Sequence, residues 1–310
     1  MSFSVKILGS SGAAPAYDRH HSSQWLEIGK KRFLVDCGEG TQMQLQRYLC
    51  RTGKLKRIFI SHLHGDHYFG LIGLISSMHL FRQIDELHIY GPKGLDDIIK
   101  IQLKYSDTFL NFKLIFHETH PDGLELLYED SELSVYSFPL QHRVPCTGFL
   151  FREKPRPRKI IKERIQPDFS LLNLAELKQG KDILDESGKI KYRNEDYTKD
   201  PMPPRSYAYC SDTKYSPEIV EYIHGVDLLY HEATFTNEFE DRALETFHST
   251  AAQAALTAKM AGAKKLIIGH FSARNKELDP LLQEARLVFP DTELAVEGET
   301  FELPFSTVDF

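Results

Sequence analysis

The sequence has few features of secreted or membrane proteins. Only four cysteines occur among 310 residues, and they lie far apart without a C-x-x-C pair. This pattern predicts neither a disulfide framework nor a cysteine-rich zinc site. The N-terminus has no basic segment leading into a long apolar stretch, and no run of about 18 apolar residues occurs. We therefore expect a soluble, cytoplasmic protein that does not associate with membranes.

A positive charge excess is also missing. The chain has 38 Lys and Arg residues against 44 Asp and Glu residues, a formal net charge of −6. Because non-specific affinity for nucleic acid comes largely from neutralised phosphates, a generic nucleic-acid coat protein is disfavoured. Any basic surface must be local. The length and the 41% hydrophobic content suit one sizeable core, so we expect a single domain over residues 1–310 that carries an insertion.

Strand-like runs open the chain and then alternate with helical patterns, which predicts an α/β architecture. The predicted strands are Ser4–Leu8, Trp25–Ile28, Arg32–Val35, Arg57–Ile60, Leu87–Tyr90, Leu133–Phe138, Tyr207–Tyr209, Val226–Tyr230 and Lys265–Ile268. The predicted helices are Leu71–Phe81, Leu95–Lys104, Pro217–Tyr222, Thr250–Ala261 and Pro280–Val288. Thr250, three residues before Gln253, predicts a capping box.

The segment 151–205 interrupts this alternation. It is polar and punctuated by prolines, and it contains few apolar residues that could anchor it, so we expect a protruding, flexible arm. Its first part, Arg152 to Arg164, has seven basic residues against two acidic ones. Such a charge run is either a solvated linker or a surface for phosphates.

The densest group of chemistry-bearing residues is the stretch His62-Leu63-His64-Gly65-Asp66-His67, directly after a predicted strand. A strand that ends in this loop would bring three imidazoles and a carboxylate into one small volume. Nitrogen and oxygen ligands of this kind suit a divalent metal such as zinc, although manganese, iron or cobalt also fit them. We therefore predict a metal site at this strand end.

The H-x-H-x-D-H pattern resembles that of the metallo-β-lactamase superfamily. The resemblance implies a four-layer αββα sandwich, mixed α/β (α+β) in class, with further ligands after successive strands. His142, Asp212 and His270 follow predicted strands in the expected order. Two zinc ions are then implied, with Asp212 bridging them. The ligands implied for the first ion are His62, His64, His142 and Asp212. Those implied for the second ion are Asp66, His67, Asp212 and His270.

Three further phrases are similar to those of the ribonuclease Z family of tRNA 3′-processing endonucleases. His231-Glu232-Ala233-Thr234 matches its HEAT motif, and Phe247-His248-Ser249-Thr250 matches its HST loop. Gly269 to Arg274 is similar to its final ligand loop. The resemblance implies a zinc-dependent hydrolase that removes the 3′ trailer of precursor tRNA and leaves a tRNA 3′-hydroxyl. It also implies a homodimer, with the arm as the tRNA-binding exosite.

The same resemblance implies roles for individual residues. Asp66 would orient the attacking water and receive its proton, whereas His248, held by Glu232, would protonate the departing 3′ oxygen. The substrate-binding residues implied are Arg274, Ser272, Arg19, Lys154, Arg156, Arg158 and Lys159. In the N-terminal loop, Tyr17 and His20 replace the lysine and asparagine of the family's P-x-K-x-R-N segment. The tolerance of a CCA end therefore stays open.

Two alternative functions remain at this point. The same fold hosts small-molecule hydrolases, including phosphodiesterases and thioesterases, because fold does not determine the substrate. A non-catalytic RNA-binding relative is the other alternative. The basic arm and the HEAT and HST phrases disfavour the first, and the complete ligand set disfavours the second.

Overall fold

The computed structural model describes residues 2–82 and 84–305. The chain divides into two compact units. The first unit runs to Glu129 and also contains Ser134–Arg152 and Arg205–Pro304; the second contains Asp130–Leu133, Glu153–Pro204 and Phe305. Within the described ranges, we find no helix with the length and apolar composition that a membrane crossing requires.

The strands, in chain order, are β1 (Phe3–Gly9), β2 (Ser23–Ile28), β3 (Lys31–Val35), β4 (Leu55–Phe59), β5 (Glu86–Gly91), β6 (Lys113–Glu118), β7 (Glu125–Glu129), β8 (Leu133–Leu140), β9 (Cys146–Glu153), β10 (Lys159–Ile160), β11 (Ile183–Leu184), β12 (Ile190–Tyr192), β13 (Thr198–Lys199), β14 (Ser206–Cys210), β15 (Leu228–Glu232), β16 (Lys265–Gly269), β17 (Thr292–Leu294) and β18 (Thr300–Glu302). All nine predicted strands are confirmed with small shifts of their ends, whereas strands such as β6, β7 and β9 were not predicted.

The helices are α1 (Thr41–Arg47), α2 (Gly65–Tyr68), α3 (Leu71–Phe81), α4 (Leu95–Tyr105), α5 (Leu171–Lys178), α6 (Asn194–Tyr197), α7 (Val220–Ile223), α8 (Glu240–Thr246), α9 (Ala251–Ala261) and α10 (Asp279–Val288). Short 3₁₀ turns span Thr52–Lys54, Lys162–Arg164, Pro217–Ile219 and Asn237–Phe239. The predicted capping box at Thr250 is present, because its side chain accepts from the Gln253 amide while the Gln253 side chain accepts from the Thr250 amide. The predicted helix at Pro217 is instead a 3₁₀ turn followed by α7.

In the described residues, the first unit contains two seven-stranded sheets. The order in the first is β18-β1-β2-β3-β4-β5-β6, and the order in the second is β17-β16-β15-β14-β9-β8-β7. The strands β1, β2 and β3 pair antiparallel, and β3 to β6 pair parallel. The strands β14 to β17 also pair parallel. The carboxyl ends of parallel strands lie at the same edge of their sheet, which is where loops from several strands can meet.

The two sheets pack face to face through large aromatic side chains. The ring centroids of Phe33 and Phe151 lie 5.5 Å apart, and those of Phe59 and Phe149 lie 5.4 Å apart. Outside the first sheet, α3 buries Leu74 and Met78 in an apolar cluster with the strands. Outside the second sheet, α9 packs against β15 and β16. The layers are therefore helix, sheet, sheet and helix, as expected for the αββα sandwich.

The second unit has a small core of its own, which the sequence analysis did not anticipate. The rings of Phe169, Tyr192 and Tyr197 contact one another at centroid distances of 4.8–5.4 Å. Leu177 and Ile183 are buried. Two short antiparallel pairs, β10 with β13 and β11 with β12, complete it. The expected bounds of 151–205 overlap the first unit, because β9 continues through Phe151 and Arg152.

Candidate metal and catalytic site

The seven predicted metal ligands lie beyond the carboxyl ends of strands from both sheets. His62 and His64 follow β4, and Asp66 and His67 lie in the short helix α2 that begins next. From the second sheet, His142 follows β8, Asp212 follows β14, and His270 follows β16. The two groups of loops meet in one site, which brings residues more than 200 positions apart into contact.

The first cluster contains His62, His64, His142 and Asp212. The Nδ1 atom of His64 lies 3.1 Å from the Nε2 atoms of both His62 and His142. The Oδ2 atom of Asp212 lies 3.6 Å from His62 Nε2 and 3.8 Å from His142 Nε2. Three imidazole nitrogens and one carboxylate oxygen therefore face a common point.

The second cluster contains Asp66, His67, Asp212 and His270. The Oδ1 atom of Asp212 lies 3.2 Å from His67 Nε2 and 3.1 Å from His270 Nε2. The Oδ2 atom of Asp66 lies 3.4 Å from each of the same two nitrogens. Asp212 therefore turns one oxygen to each cluster, which is the arrangement of a bridging carboxylate.

The separations within both clusters match those around a small divalent cation. A tetrahedral zinc with bonds of about 2.0–2.1 Å holds its ligand atoms about 3.3–3.4 Å apart. Five pairs of ligand atoms in the second cluster are 3.1–3.4 Å apart. Four pairs in the first cluster are 3.1–3.8 Å apart, and every pair in both lies within 4.8 Å. The donor set and its spacing therefore fit a pair of divalent metal ions.

Buried partners fix which ring nitrogen of each histidine faces the clusters. His67 Nδ1 donates to Asp36 Oδ2 at 2.7 Å, and His142 Nδ1 donates to the carbonyl of Phe247 at 3.0 Å. His270 Nδ1 lies 3.0 Å from the hydroxyl of Thr234. Hydrogen bonds of this kind fix the tautomer and orientation of metal-binding imidazoles. The second ring nitrogen, Nε2, is left for the metal in all three.

Asp36 is a functional residue that the sequence analysis missed. Its fully buried carboxylate accepts hydrogen bonds from the Ser61 amide and hydroxyl and from the Tyr209 hydroxyl, besides that from His67. A usable signal was present, since Asp36 directly follows the predicted strand Arg32–Val35 just as the ligands follow theirs. A carboxylate at that sheet edge should have been grouped with them.

Electrostatics favours metal binding at most of these positions. Burial lowers the pKa of His62, His64 and His142, so these imidazoles are neutral and offer lone pairs. Burial of Asp212 opposes its ionisation, yet the neighbouring histidines hold its pKa well below the usual value. Burial likewise disfavours charge on His67, but the surrounding carboxylates outweigh it and raise its pKa. A proton on His67 and a metal ion would compensate the same negative charge.

The backbone around the site takes conformations that side chains rarely adopt. The φ angles of Asp36, Phe247 and His270 are 53°, 60° and 58°. A positive φ is uncommon outside glycine and costs of the order of 1–3 kcal/mol in strained cases. Gly12 lies so close to His270 that an added Cβ would sit 2.4 Å from its ring. These features aim the Phe247 carbonyl and the His270 ring at the site.

Glu232 and His248, the predicted proton-donor pair, are hydrogen-bonded to each other beside the clusters. Glu232 is fully buried at the end of β15, and its Oε1 atom lies 2.8 Å from His248 Nδ1. The amides of Thr213 and Thr234 and the Thr234 hydroxyl also donate to this carboxylate. Burial disfavours charge on His248, but Glu232 outweighs it and raises its pKa to about 9. A protonated imidazole held in this way can donate a proton.

The predicted substrate-binding residues of the first unit occupy different settings. Arg274 is exposed and Ser272 is half-buried, and the Ser272 hydroxyl accepts from the Arg274 amide. Arg19 instead donates to the carbonyls of Asn275 and Lys276, at 2.6 and 3.4 Å, and its guanidinium lies 5.1 Å from the Tyr17 ring centroid. It therefore ties the N-terminal loop to the loop after β16.

In the second unit, two of the predicted substrate-binding arginines have acidic partners of their own. Arg156 pairs with Glu153 at 2.9 Å. Arg158 pairs with Asp200 and donates to the Thr198 hydroxyl. Lys159 is exposed, and Lys154 is half-buried. The local basic excess is thus partly compensated inside this unit.

Comparisons with known proteins point to one family. The sequence profile of a family described as anti-Pycsar protein Apyc1 matches residues 3–143, less than half of the chain. Ribonuclease Z of Cytophaga hutchinsonii is 50% identical over 301 residues, which cover 97% of this chain and 96% of that protein. The short form of human tRNase Z is 29% identical with a TM-score of 0.70, covering 97% of this chain and 100% of that one.

A further solved structure agrees on the fold. The metallo-β-lactamase fold protein YhfI from Bacillus subtilis is 20% identical with a TM-score of 0.68, and the match covers 97% of this chain and 100% of that chain. At this identity the likeness concerns the fold alone. The expectation of a metallo-β-lactamase sandwich is confirmed.

Proposed function

Because this chain belongs to the ribonuclease Z family, we propose that it is a zinc-dependent endoribonuclease that removes the 3′ trailer of precursor tRNA and leaves a tRNA 3′-hydroxyl. The bridging position of Asp212 carries the proposal, since its two oxygens face two separate sets of ligands. Two metal ions a few ångströms apart suit the in-line displacement at a phosphodiester. The Glu232–His248 pair supplies the proton donor that cleavage of an ester bond needs.

The residues around the clusters have distinct tasks in the reaction. The two clusters that share Asp212 would hold a pair of zinc ions, which would lower the pKa of bound water towards about 7 and neutralise charge on the phosphate. Asp66, fixed by the Ala13 amide at 2.7 Å, orients the attacking water and accepts its proton. Burial raises the pKa of Asp66, but His67 and His270 hold it well below the usual value, so the carboxylate is ionised before the reaction and has a free lone pair for that proton. His248 protonates the departing 3′ oxygen, and Glu232 stabilises its charged form.

The inserted unit grips the body of the tRNA. Lys154, Arg156, Arg158 and Lys159 lie in its first part, and contacts of such residues with phosphates position a nucleic acid without reading its sequence. Ser272 and Arg274, in the loop after the His270 ligand, contact phosphate close to the scissile bond. Arg19 supports that loop through its hydrogen bonds to Asn275 and Lys276.

The protein acts as a cytoplasmic homodimer. Support for the dimer comes from an apolar surface on α1, α3 and the loop between α1 and β4. Met43, Leu49, Leu80 and Phe81 are 60–85% exposed there. Phe81 also lines a cavity of about 460 Å³ together with Leu45, Leu74 and Met78. A contiguous exposed apolar surface of this kind is typical of a protein–protein interface. Reduced cysteines, all free in the described residues, fit the cytoplasm.

The direct test is incubation of the metal-loaded protein with a 3′-extended tRNA transcript, with and without a chelator. We expect one cut at the 3′ side of the acceptor stem, a 3′-hydroxyl on the tRNA product, and loss of cleavage after chelation that added zinc restores. Hydrolysis of bis(p-nitrophenyl) phosphate, measured in parallel, reports the metal site alone. A protein that hydrolyses the small diester but leaves the transcript intact would be a small-molecule hydrolase instead.

A further inference from the structure

Two cations next to metal-ligand residues have no part in the mechanism described so far. Arg143 directly follows the ligand His142, and Lys214 lies two residues after the bridging Asp212. Neither was singled out by the sequence analysis. Arg143 is exposed, and Lys214 is half-buried.

Hydrogen bonds hold the two loops that carry these cations side by side. The Gln141 amide donates to the Thr213 hydroxyl at 3.1 Å, and the Lys214 amide donates to the Gln141 carbonyl at 3.0 Å. The Gln141 side chain also donates to the Ser216 hydroxyl. The backbone segments that carry Arg143 and Lys214 are therefore adjacent at the edge of the site.

Their positions relative to the first cluster follow from their neighbours. Burial is the main reason that the pKa of His64 is lowered, and the positive charge of Arg143 adds to this effect. Lys214 Nζ lies 5.6 Å from the ring centroid of Phe247, whose carbonyl orients His142 and whose next neighbour is the proton donor His248. Both cations thus lie beside the first cluster, whereas Arg274 belongs to the loop of the second.

The charge of Arg143 is not used to stabilise the fold. Within the described parts of the chain, its guanidinium makes no hydrogen bond and no ion pair, and its positive charge disfavours protonation of His64. Lys214 makes no ion pair within 4 Å in the same residues, although its charge helps to lower the pKa of the exposed Glu218. Cations placed in this way are available to an anionic ligand.

We propose that Arg143 and Lys214 form an anion subsite beside the first metal cluster, which holds a phosphate of the RNA strand next to the scissile one. The inference rests on the proposed function and deepens it. Each internucleotide linkage of RNA carries one negative charge, so a strand that passes through the site presents a flanking phosphate to this rim. A small diester with a single phosphate cannot use the subsite, so these contacts distinguish RNA from small substrates.

The test compares Arg143→Ala, Lys214→Ala and the double variant with the wild-type protein, each loaded with zinc. Lys56→Ala is the control, because Lys56 is 49% exposed and lies at the opposite end of β4 from the metal ligands. We expect kcat/KM for the 3′-extended transcript to fall about tenfold for each single variant, mainly through KM. For bis(p-nitrophenyl) phosphate, kcat/KM of the same variants should stay close to the wild-type value. Lys56→Ala should match the wild type on both substrates.

Two further measurements identify the ligand as a phosphate. The slope of log affinity for the transcript against log salt should become shallower by about 1 for each cation removed. A transcript with a neutral methylphosphonate at one linkage flanking the cleavage site should reproduce the loss in the wild type, but should cause little further loss in the double variant. That non-additivity shows direct contact with that linkage.

The outcomes separate the two proposals. A double variant that processes the transcript like the wild type, with the same salt slope, overturns the subsite alone. Equal losses on the transcript and the small diester also overturn it, since the two residues would then support the metal site itself. A wild-type protein that leaves the transcript intact overturns the proposed function, and the subsite with it.

Discussion

At the scale of single residues, the chemistry depends on side chains that are held by buried partners. The Nε2 atoms of His67, His142 and His270 face the clusters only because Asp36, the Phe247 carbonyl and Thr234 hold their other ring nitrogens. Mutations of such partners leave the ligands in place but change their orientation and basicity. Such mutations test how the orientation of a ligand affects the site, whereas removal of a ligand tests only whether that ligand is needed.

Asp36→Asn should weaken zinc binding about 10- to 100-fold. Asparagine tolerates the positive φ of 53° at this position, but its amide group cannot accept from every donor that surrounds the carboxylate. Affinity is measured by competition with a chromophoric chelator. Asp107→Asn is the matched control, because Asp107 has a φ of 51° and is exposed. Unchanged zinc affinity in Asp36→Asn would make its role structural only.

His248→Ala should lower kcat for the transcript by roughly 10²–10⁴ and leave the zinc content intact. The reason is that Glu232 raises the pKa of His248 to about 9, so the imidazole is protonated at neutral pH and ready to donate. Kinetics and elemental analysis of the same preparation check both parts. The exposed His224 provides the control substitution, His224→Ala. Loss of zinc from the His248 variant would contradict the assignment.

At the scale of elements, helix caps and strand ends fix the loops of the site. The HST loop runs directly into α9, whose first turn is closed by Thr250 and Gln253. A second capping box, formed by Ser170 and Asn173, starts α5 in the inserted unit. The same hydrogen-bond pattern therefore caps one helix next to His248 and one helix in the second unit.

Thr250→Ala should lower the free energy of unfolding by about 1 kcal/mol, because the Gln253 amide and the Asn237 side chain lose their partner. The measurement is chemical denaturation monitored by the fluorescence of Trp25, the single tryptophan, which lies in β2 of the first unit. For comparison, Ser170→Ala removes the matching cap of α5, and its effect should appear as faster amide exchange in Leu171–Lys178. An unchanged denaturation midpoint in Thr250→Ala would mean that the box is dispensable.

At the scale of the whole molecule, the division into two units suggests how to separate substrate binding from chemistry. The strands β9 and β14 pair antiparallel with Arg152 opposite Ser206, so a short linker can join them in place of the insert. Arg205 should be kept, because it is buried and donates to the Leu303 carbonyl at 2.7 Å. A deletion that includes Arg205 would damage the first unit.

Replacing Lys154–Pro204 with a short Gly/Ser linker should abolish processing of the tRNA transcript but retain hydrolysis of bis(p-nitrophenyl) phosphate. The physical reason is that contacts far from the scissile bond contribute binding and orientation of a large substrate, whereas a small diester needs only the metal site. Both activities are assayed on one preparation of checked zinc content. Equal loss of the two would contradict the exosite role.

The double variant Leu49→Glu, Leu80→Glu should convert the proposed dimer into a monomer. These two leucines lie in the loop after α1 and on α3, and they are 85% and 75% exposed. A charged side chain buried there on association would oppose that association. Sedimentation velocity gives the assembly state. Leu287→Glu is the matched control, since Leu287 is 88% exposed on α10. A monomeric wild type, or a double variant that still dimerises, would rule out this interface.

The sequence by itself determined the types and the order of the ligands. His62, His142 and His270 each follow an apolar strand. The hydrophobic periodicity and the ends of such a strand are local properties, so the residues at a strand end can be predicted without a structure. The capping box at Thr250 is local in the same sense. The small core of the inserted unit was missed because Phe169, Tyr192 and Tyr197 are spread along a polar segment and meet only after folding.

Only the tertiary structure decided which loops meet. Asp36 reaches His67, and the Gln141 carbonyl in the loop of Arg143 reaches the Lys214 amide, through sheet order and strand register, which depend on pairings between distant segments. The hydrogen bond from the Thr213 amide to Glu232 likewise depends on the packing of segments that are distant in the chain. Local sequence sets where a strand ends and which side chains come directly after that end, whereas contacts between strand ends are cooperative and have no local pattern.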